Sequence, residues 1–274
     1  MIKILVSGLA LTMLLAACTS HKMQSEKVSS PKEVLVWQED FNGDSLDQNK
    51  WTPIIGNGCP SNCGFGNNEL QYYSDDFNNL EVSNGTLKIK AIIDSTKETG
   101  YSSAKLVTKS KGDWTYGRIE VNAKLPEGRG TWPAIWMLPT LDRPMDWPLD
   151  GEIDIMEHVG YNQGMVYGTI HTKKFNHIIG TQKSDSLFID DISQQFHLYG
   201  FNWNDSSMTW SIDGNDYLTL NKGKENYEGW PFDQNFHLIL NLAVGGNWGG
   251  KFGVDESIWP QTFEIDYVKV YQQQ

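Results

Sequence analysis

The central part of the chain alternates between apolar and polar residues. At residues 86–91, for example, Leu87, Ile89 and Ala91 alternate with a threonine and two lysines. Successive side chains of a strand point to opposite faces, so this period of two predicts strands with one buried face. The same alternation recurs at residues 118–123, 209–212 and 263–271.

Tight-turn signals separate these predicted strands. Asn84-Gly85 and Asp213-Gly214 are dipeptides preferred in two-residue hairpins, because both positions tolerate positive φ. No window of 12 or more residues shows a 3.6-residue apolar period, and the 274 residues include 26 glycines. The pattern predicts an all-β protein, an antiparallel β-sandwich of the jelly-roll type.

The first residues predict an export signal. Lys3 precedes an apolar run at residues 4–17, which is too short for a stable transmembrane anchor. The run ends in Leu-Ala-Ala-Cys18, which resembles the cleavage site of a bacterial lipoprotein. The resemblance implies that residues 1–17 are a signal peptide and that Cys18 carries the lipid; an ordinary signal peptide is the alternative. We therefore expect the protein to be lipid-anchored in the bacterial cell envelope, at the outer membrane or cell surface.

A polar segment leads into one predicted domain. Residues 18–32 are rich in serine and lysine without apolar periodicity, which is typical of a flexible tether. The remaining residues, 33–274, are within the range of a single β-sandwich. We expect this domain to be a monomer that contacts the membrane only through the lipid.

The net charge narrows the choice of partner. The chain has 22 Lys+Arg and 34 Asp+Glu, a formal charge of −12. Nucleic acids and anionic lipids bind basic patches, so neither is the expected partner, and a sulfated polysaccharide is disfavoured for the same reason. The 11 tryptophans need either a large core or a flat ligand.

Two cysteines remain after Cys18. Cys59 and Cys63 lie close together in a segment rich in glycine and asparagine, in a chain whose predicted compartment permits disulfides. We expect them to form a disulfide, with two free thiols as the alternative. A metal site is disfavoured because no further cysteine or histidine lies nearby in sequence.

An acidic cluster is the most distinctive motif. On a strand, Glu152 and Asp154 share one face, while the flanking Ile153 and Ile155 share the other. Strict alternation would place Met156 next on the acidic face. If a β-bulge absorbs this residue, the carboxylate at position 157 joins the other two, and bulges do this beside active sites.

Crowded carboxylates suit glycoside hydrolysis. Mutual repulsion raises at least one pKa, giving a protonated acid beside an ionised one. We assign Glu152 as nucleophile, Glu157 as acid/base and Asp154 as the group that orients the nucleophile; a separation of about 5–5.5 Å would give retention of configuration. A solvated edge strand or a calcium site is the alternative.

A tryptophan pair suggests a platform for sugar rings. Trp132 and Trp136 share one strand face, about 13 Å apart at the strand rise. A core position is the alternative for either residue. Trp248 lies among glycines, so we expect it to reach a ligand from a loop. Other candidate sugar-binding side chains are Asn67, Asn68, Arg118 and His171.

These motifs together resemble glycoside hydrolase family 16, and within it the bacterial laminarinases. The resemblance runs from Val36 to Tyr271 and includes residues 66–73, 116–118, 132–139, 151–160, 168–172 and 240–250. It implies a jelly roll with a concave cleft, retaining cleavage of internal β-1,3-glucan bonds without a catalytic cofactor, and the roles already given to the three acids. Mixed-linkage glucan, agar or carrageenan hydrolysis, and glycan binding without catalysis, stay open as alternatives.

The same resemblance implies a structural calcium ion. Its ligands by matching position are Asp40, the carbonyl of Gly85 and Asp266. This chain has Glu39-Asp40 where the family usually has Asp-Glu, so the side chain at position 40 is shorter. The ion would stabilise the fold and take no part in catalysis.

Overall fold

Two β-sheets account for all 18 strands in the part of the chain that the structure describes, Met1 and residues 32–274. The structure is a computed structural model. Apart from Met1 and residue 32, the predicted signal peptide, the predicted lipidation site Cys18 and the predicted tether lie outside the described residues. Lys32–Gln274 forms one compact unit, and its first strand begins at Glu33.

The larger sheet has ten strands. Its main path has the order β16-β15-β14-β9-β18-β5-β6-β3, with β1 paired to β18 and β4 to β5; the β3–β6 pair is parallel and the others are antiparallel. The strands are β1 (Glu33–Glu39), β3 (Gln71–Tyr73), β4 (Leu80–Ser83), β5 (Thr86–Ile93), β6 (Tyr101–Ser103), β9 (Gly117–Lys124), β14 (His197–Trp203), β15 (Ser207–Ile212), β16 (Asn215–Asn221) and β18 (Gln261–Gln273).

The second sheet has eight strands, all antiparallel. Its order is β13-β12-β11-β10-β17-β7-β2, with β8 paired to β17. The strands are β2 (Thr52–Pro53), β7 (Lys105–Val107), β8 (Asp113–Trp114), β10 (Thr131–Pro139), β11 (Glu152–His158), β12 (Met165–His171), β13 (Lys183–Phe188) and β17 (Phe236–Val244). Helical structure within residues 32–274 is limited to three short 3₁₀ helices at Cys63–Gly66, Gly160–Asn162 and His177–Ile179. These observations confirm the predicted all-β sandwich.

The core lies between the two sheets. Along β9, Ile119, Val121 and Ala123 are buried while the alternate residues are partly exposed, as the period of two predicted. The eight-stranded sheet supplies Ile135 and Met137 from β10 to the same core. Its opposite face is therefore free to form a site.

A disulfide closes one loop at the edge of this free face. Cys59 and Cys63 are bonded, as predicted. Asn62, inside this loop, and Phe65, just after it, both line the cleft described below. Within the described residues, no helix has the length and apolar character needed to cross a membrane.

One hydrogen bond crosses the core and reaches the strand that carries the acids. Trp210, fully buried on β15, donates its indole N–H to the backbone carbonyl of Asp154 at 2.8 Å. A buried carbonyl without a partner is costly, so this tryptophan satisfies a backbone group at an irregular point of β11.

We expect Trp210→Phe to lower the free energy of unfolding by about 1–3 kcal/mol more than the smaller side chain alone would, because the variant leaves the Asp154 carbonyl unpaired. Trp203→Phe is the matched control, since Trp203 is also buried but its indole N–H has no partner. Urea unfolding of both variants measures the difference. Equal losses in the two variants would contradict a stabilising role for the hydrogen bond.

Candidate active site

Strand β11 contains the bulge that the acidic motif predicted. Against β12, Asp154 pairs with Thr169 but Glu157 pairs with Tyr167, so two residues of β11 oppose one residue of its partner. The register against β10 shifts at the same place. Ile155 and Met156 are both buried, and the strand returns to the outer face at position 157.

The bulge brings the three acids to one surface. Glu152, Asp154 and Glu157 all line a cleft of about 490 Å³ on the free face of the eight-stranded sheet. Its other lining residues are Asn62, Phe65, Gly66, Asn67, Glu69, Tyr73, Lys105, Trp132, Ala134, Trp136, Leu138, Met145, Trp147, His177, Ile178, Asn241 and Ala243.

Glu152 receives a hydrogen bond from a residue that the sequence reasoning missed. The indole N–H of Trp147 donates to Glu152 Oε2 at 3.0 Å. Burial, and next the charge of Glu157, raise the pKa of Glu152 to about 8, while the Trp147 hydrogen bond works in the opposite direction. Trp147 therefore favours the ionised form that a nucleophile needs.

Glu157 has a tryptophan partner of its own. Trp132 donates its indole N–H to Glu157 Oε1 at 3.0 Å. Burial raises the pKa of Glu157 to about 7, although this hydrogen bond lowers it. A carboxyl group with this pKa still holds a proton near neutral pH, which a general acid requires.

Asp154 lies deepest of the three acids. It is 3% exposed, and burial followed by the charges of Glu152 and Glu157 raise its pKa well above the ordinary value. His171 Nε2 lies 3.4 Å from its Oδ2. Burial lowers the pKa of His171 to about 4, so the imidazole is neutral and does not offset the negative charges.

The same atoms form the only group in the described chain where three His, Cys, Asp or Glu side chains converge as metal donors. One ligand atom from each of Glu152, Asp154 and His171 lies within 4.8 Å of the others. Two of these three residues are acids to which the sequence assigns catalytic roles, so a cation held there would compete with protons for the same carboxylate oxygens.

The predicted tryptophan platform lines the cleft. Trp132 and Trp136 both face it, and Trp136 donates its indole N–H to Asn241 Oδ1 at 2.7 Å. Trp248 packs edge-on against Trp132, with ring centroids 5.6 Å apart, and against Tyr167 at 5.1 Å. An aromatic wall therefore continues beyond Trp132 from the loop after β17.

Two of the predicted sugar ligands differ from expectation. Asn68 is exposed and donates to Asn247 Oδ1 at 2.8 Å, which joins two loops, while Asn67 lines the cleft. The prediction for Arg118 is wrong. It lies on β9 of the other sheet, where it bonds Glu33 and stacks 3.9 Å from the ring centroid of Tyr271. Its neighbours on β9 alternate into the core, so its own side chain faces away from the cleft.

Further cleft residues carry charge that no sequence motif marked. The Lys105 ammonium lies 4.7 Å from the ring centroid of Trp136 and 5.0 Å from that of Phe65. Burial lowers the pKa of Lys105, and burial raises the pKa of Glu69 nearby. Lys105 pairs with Asn241, Asn241 pairs with Ala134, and Ala134 pairs with Glu157 on successive strands. Knowledge of the strand pairing would therefore have placed Lys105 near the acids.

His177 also belongs to the site. From its sequence context we expect a structural role, like those of His197 and His237, but it lines the cleft, with its ring 5.3 Å from that of Trp147. Both His197 and His237 lie outside the cleft lining; His197 bonds Asp213, and His237 bonds Thr140.

The predicted calcium ligands come from three segments that meet on the ten-stranded sheet. A β-carbon built on Gly85 would lie 3.8 Å from Asn42 Oδ1, two residues after Asp40. The charges of Asp266 and Asp40 both raise the pKa of Tyr267, so both carboxylates lie near this residue. The donors are all oxygens, which suits Ca²⁺.

Comparisons with known proteins agree with this geometry. The family profile described as glycosyl hydrolases family 16 matches residues 62–269. A β-glucanase of Rhodothermus marinus is 44% identical over 254 residues, which is 89% of this chain and 86% of that protein.

Solved structures give the same result. The laminarinase structure from Rhodothermus marinus superposes with a TM-score of 0.84 at 43% identity, covering 89% of this chain and 99% of that one. The laminarinase from Flavobacterium sp. UMI-01 gives 0.81 at 43% identity, covering 87% and 100%. The profile match and these similarities show that the chain belongs to glycosyl hydrolase family 16.

Proposed function

We propose that the protein is an endo-acting hydrolase that cleaves internal β-1,3-glucosidic bonds of laminarin-like glucans with retention. The observation that carries the proposal is the bulged strand β11, which places Glu152, Asp154 and Glu157 in one cleft. The names of the similar β-glucanase and laminarinases support the choice of substrate.

Retention follows from two displacements at the anomeric carbon. In the first, the Glu152 carboxylate forms a bond to this carbon, and the bond to the leaving oxygen breaks as Glu157 gives that oxygen its proton. In the second, water attacks the same carbon, Glu157 takes a proton from the water, and the ester to Glu152 breaks. Both groups return to their starting states, so the reaction needs no cofactor.

The surroundings of the acids fit these roles. Trp147 donates to Glu152 and thereby favours the ionised nucleophile. Asp154 lies beside it, with one carboxylate oxygen of each residue within 4.8 Å of the other, and burial raises the pKa of Asp154, which favours its protonated form. This arrangement lets one carboxylate be charged while its neighbours stay neutral.

The alternatives differ in what they require of the cleft. A glycan-binding protein without catalysis needs the tryptophan wall but not the acids, and all three acids are present and line the cleft here. Mixed-linkage β-1,3-1,4-glucan fits the same machinery and would differ only in the fit of neighbouring sugar rings. The products formed from laminarin and from lichenan distinguish these substrates.

We further propose that the protein is held at the cell envelope by a lipid on Cys18. The support is the short apolar run that ends at this cysteine. An enzyme tethered there would meet polysaccharide outside the cell and release short products close to the membrane.

We expect Glu152→Gln and Glu157→Gln each to lower kcat on laminarin by more than about a hundredfold, because each removes a reacting group. Azide should restore turnover to Glu152→Ala, whose shortened side chain leaves room for it, and give a glycosyl azide of inverted configuration. Glu264→Gln is the matched control, since Glu264 begins a second Glu-Ile-Asp sequence on the other sheet. Full turnover in either cleft variant would contradict the assignment.

We expect kcat/KM to follow a bell-shaped pH profile. The active form has Glu152 ionised and Glu157 protonated, so activity first rises and then falls with pH. The two carboxyl groups interact, so the limbs belong to the pair, and burial places both above the ordinary carboxyl pKa of 4.5. Glu157→Gln, assayed on an aryl glucoside whose leaving group needs no proton, should lose the falling limb and keep the rising one. An unchanged falling limb would show that another group supplies the proton.

We also propose a stabilising calcium site at Asp40, the Gly85 carbonyl and Asp266. Millimolar Ca²⁺ should raise the Tm of the wild-type protein, since a cation that binds the folded state stabilises it by mass action. Asp40→Asn should remove most of this rise without changing kcat on laminarin. Calorimetry with and without chelator measures it, and an equal rise in the variant would rule out this ligand set.

A further inference from the structure

The connection between β10 and β11 places one indole against the nucleophile. Residues 140–151 form this connection, and Trp147 near its middle donates to Glu152 at 3.0 Å. The five residues before Trp147 are exposed, so packing against the sandwich does not hold them. Another interaction must fix the geometry of this segment.

That interaction centres on Asp150, two residues before the nucleophile. Its side chain is fully buried, yet it is charged, since Arg143 above all holds the pKa of Asp150 near 2. The carboxylate accepts four hydrogen bonds, from Arg143 Nη1 at 2.7 Å, Arg143 Nη2 at 2.6 Å, the Asp146 amide at 2.7 Å and the Tyr227 hydroxyl at 2.8 Å.

The pair closes the connection into a ring. Arg143 and Asp150 bracket Trp147, and their two parallel hydrogen bonds join the ends of the segment that carries it. The backbone adds a bond from the Asp150 amide to the Asp146 carbonyl at 2.9 Å. Residues 144–149 are therefore held at both ends, and the indole has little freedom to leave the nucleophile.

One end of this ring is fixed to the rest of the protein. Tyr227 bonds the Asp150 side chain, and Gln234 donates to the Asp150 carbonyl at 3.1 Å. Gly151 has φ +90°, and a β-carbon there would lie 2.7 Å from Pro231 Cγ, so the chain passes this point in close contact. The Arg143 side chain, by contrast, is 52% exposed. Apart from a hydrogen bond to the carbonyl of the adjacent Pro144, its guanidinium bonds Asp150.

We propose that Arg143 and Asp150 are positioning residues, whose two-pronged ion pair holds the Trp147 indole N–H on the nucleophile Glu152. The inference rests on the proposed hydrolase function. An exposed arginine usually contributes little, but here its partner is a buried carboxylate with no other charge to balance it. Without the two hydrogen bonds from the guanidinium, the exposed residues 142–146 of the connection are free to move. The Trp147 indole then loses its fixed distance to Glu152.

The test compares the pH dependence of three variants with laminarin as substrate. Trp147→Phe removes the hydrogen bond directly, so the rising limb of kcat/KM should move up by about one pH unit and kcat should fall roughly tenfold. Arg143→Gln should move the same limb in the same direction, with a smaller change in KM than in kcat. The double variant should be no worse than Trp147→Phe alone, because both changes act through one contact.

Arg118→Gln is the matched control, since Arg118 pairs with carboxylates on the other sheet. Its pH profile should equal that of the wild type. Wild-type kinetics in Arg143→Gln, or effects that add in the double variant, would overturn the positioning role while leaving the hydrolase function intact. An inactive wild-type protein would instead overturn the proposed function itself.

Thermal unfolding of each variant separates loss of fold from loss of positioning. If Arg143→Gln does not fold, Arg143→Lys decides the question, because a lysine keeps the charge but lacks the fork. A rising limb displaced towards that of Trp147→Phe would support the proposal. If the rising limb of Arg143→Lys equals that of the wild type, the positive charge at position 143 is sufficient. That result would overturn the role of the two parallel hydrogen bonds to Asp150.

Discussion

The site depends on two consecutive apolar residues in a strand whose other residues alternate. Ile155 and Met156 both pack into the core between the sheets, and a regular strand can point only one of two neighbours to the same face. The resulting bulge shifts the register against both neighbouring strands. It turns Glu157 to the same face as Glu152 and leaves the carbonyl of Asp154 to the Trp210 indole across the core. Hydrophobic burial on one side of β11 thus decides the chemistry on the other.

The price of this arrangement is electrostatic. Three carboxyl groups share a buried surface, and the neighbouring histidine, His171, is neutral because burial lowers its pKa to about 4. Burial raises the pKa values of all three acids. The charge of Glu157 adds to this at Glu152, the charges of Glu152 and Glu157 add to it at Asp154, and the charge of Glu69 adds to it at Glu157. A site with these properties keeps protons near neutral pH and passes them to a substrate oxygen, which is the use that catalysis makes of an otherwise unfavourable cluster.

The sheet and the loops contribute differently to the cleft. The strands supply a rigid floor, where Lys105, Asn241 and Ala134 lie in register beside Glu157. The connecting segments supply adjustable groups, such as Trp147 over the nucleophile. A loop group needs its own anchoring, because exposed backbone has few packing contacts to hold it. The ion pair of Arg143 and Asp150 within the connection before β11 meets that need without adding a net charge close to the acids.

The sequence by itself determined the strands, the acidic face and the tryptophan platform, because each follows from a period of two between neighbours along the chain. It failed at Arg118, whose own strand pattern already placed it opposite the core, because alternation along one strand does not show which of the two sheets carries that strand. Trp147 and Lys105 were beyond its reach, since their distances to Glu152 and Trp136 join segments that meet only when strands pair and loops close. Local patterns report which face a side chain occupies; the tertiary structure alone decides which faces meet, because that depends on register and loop path.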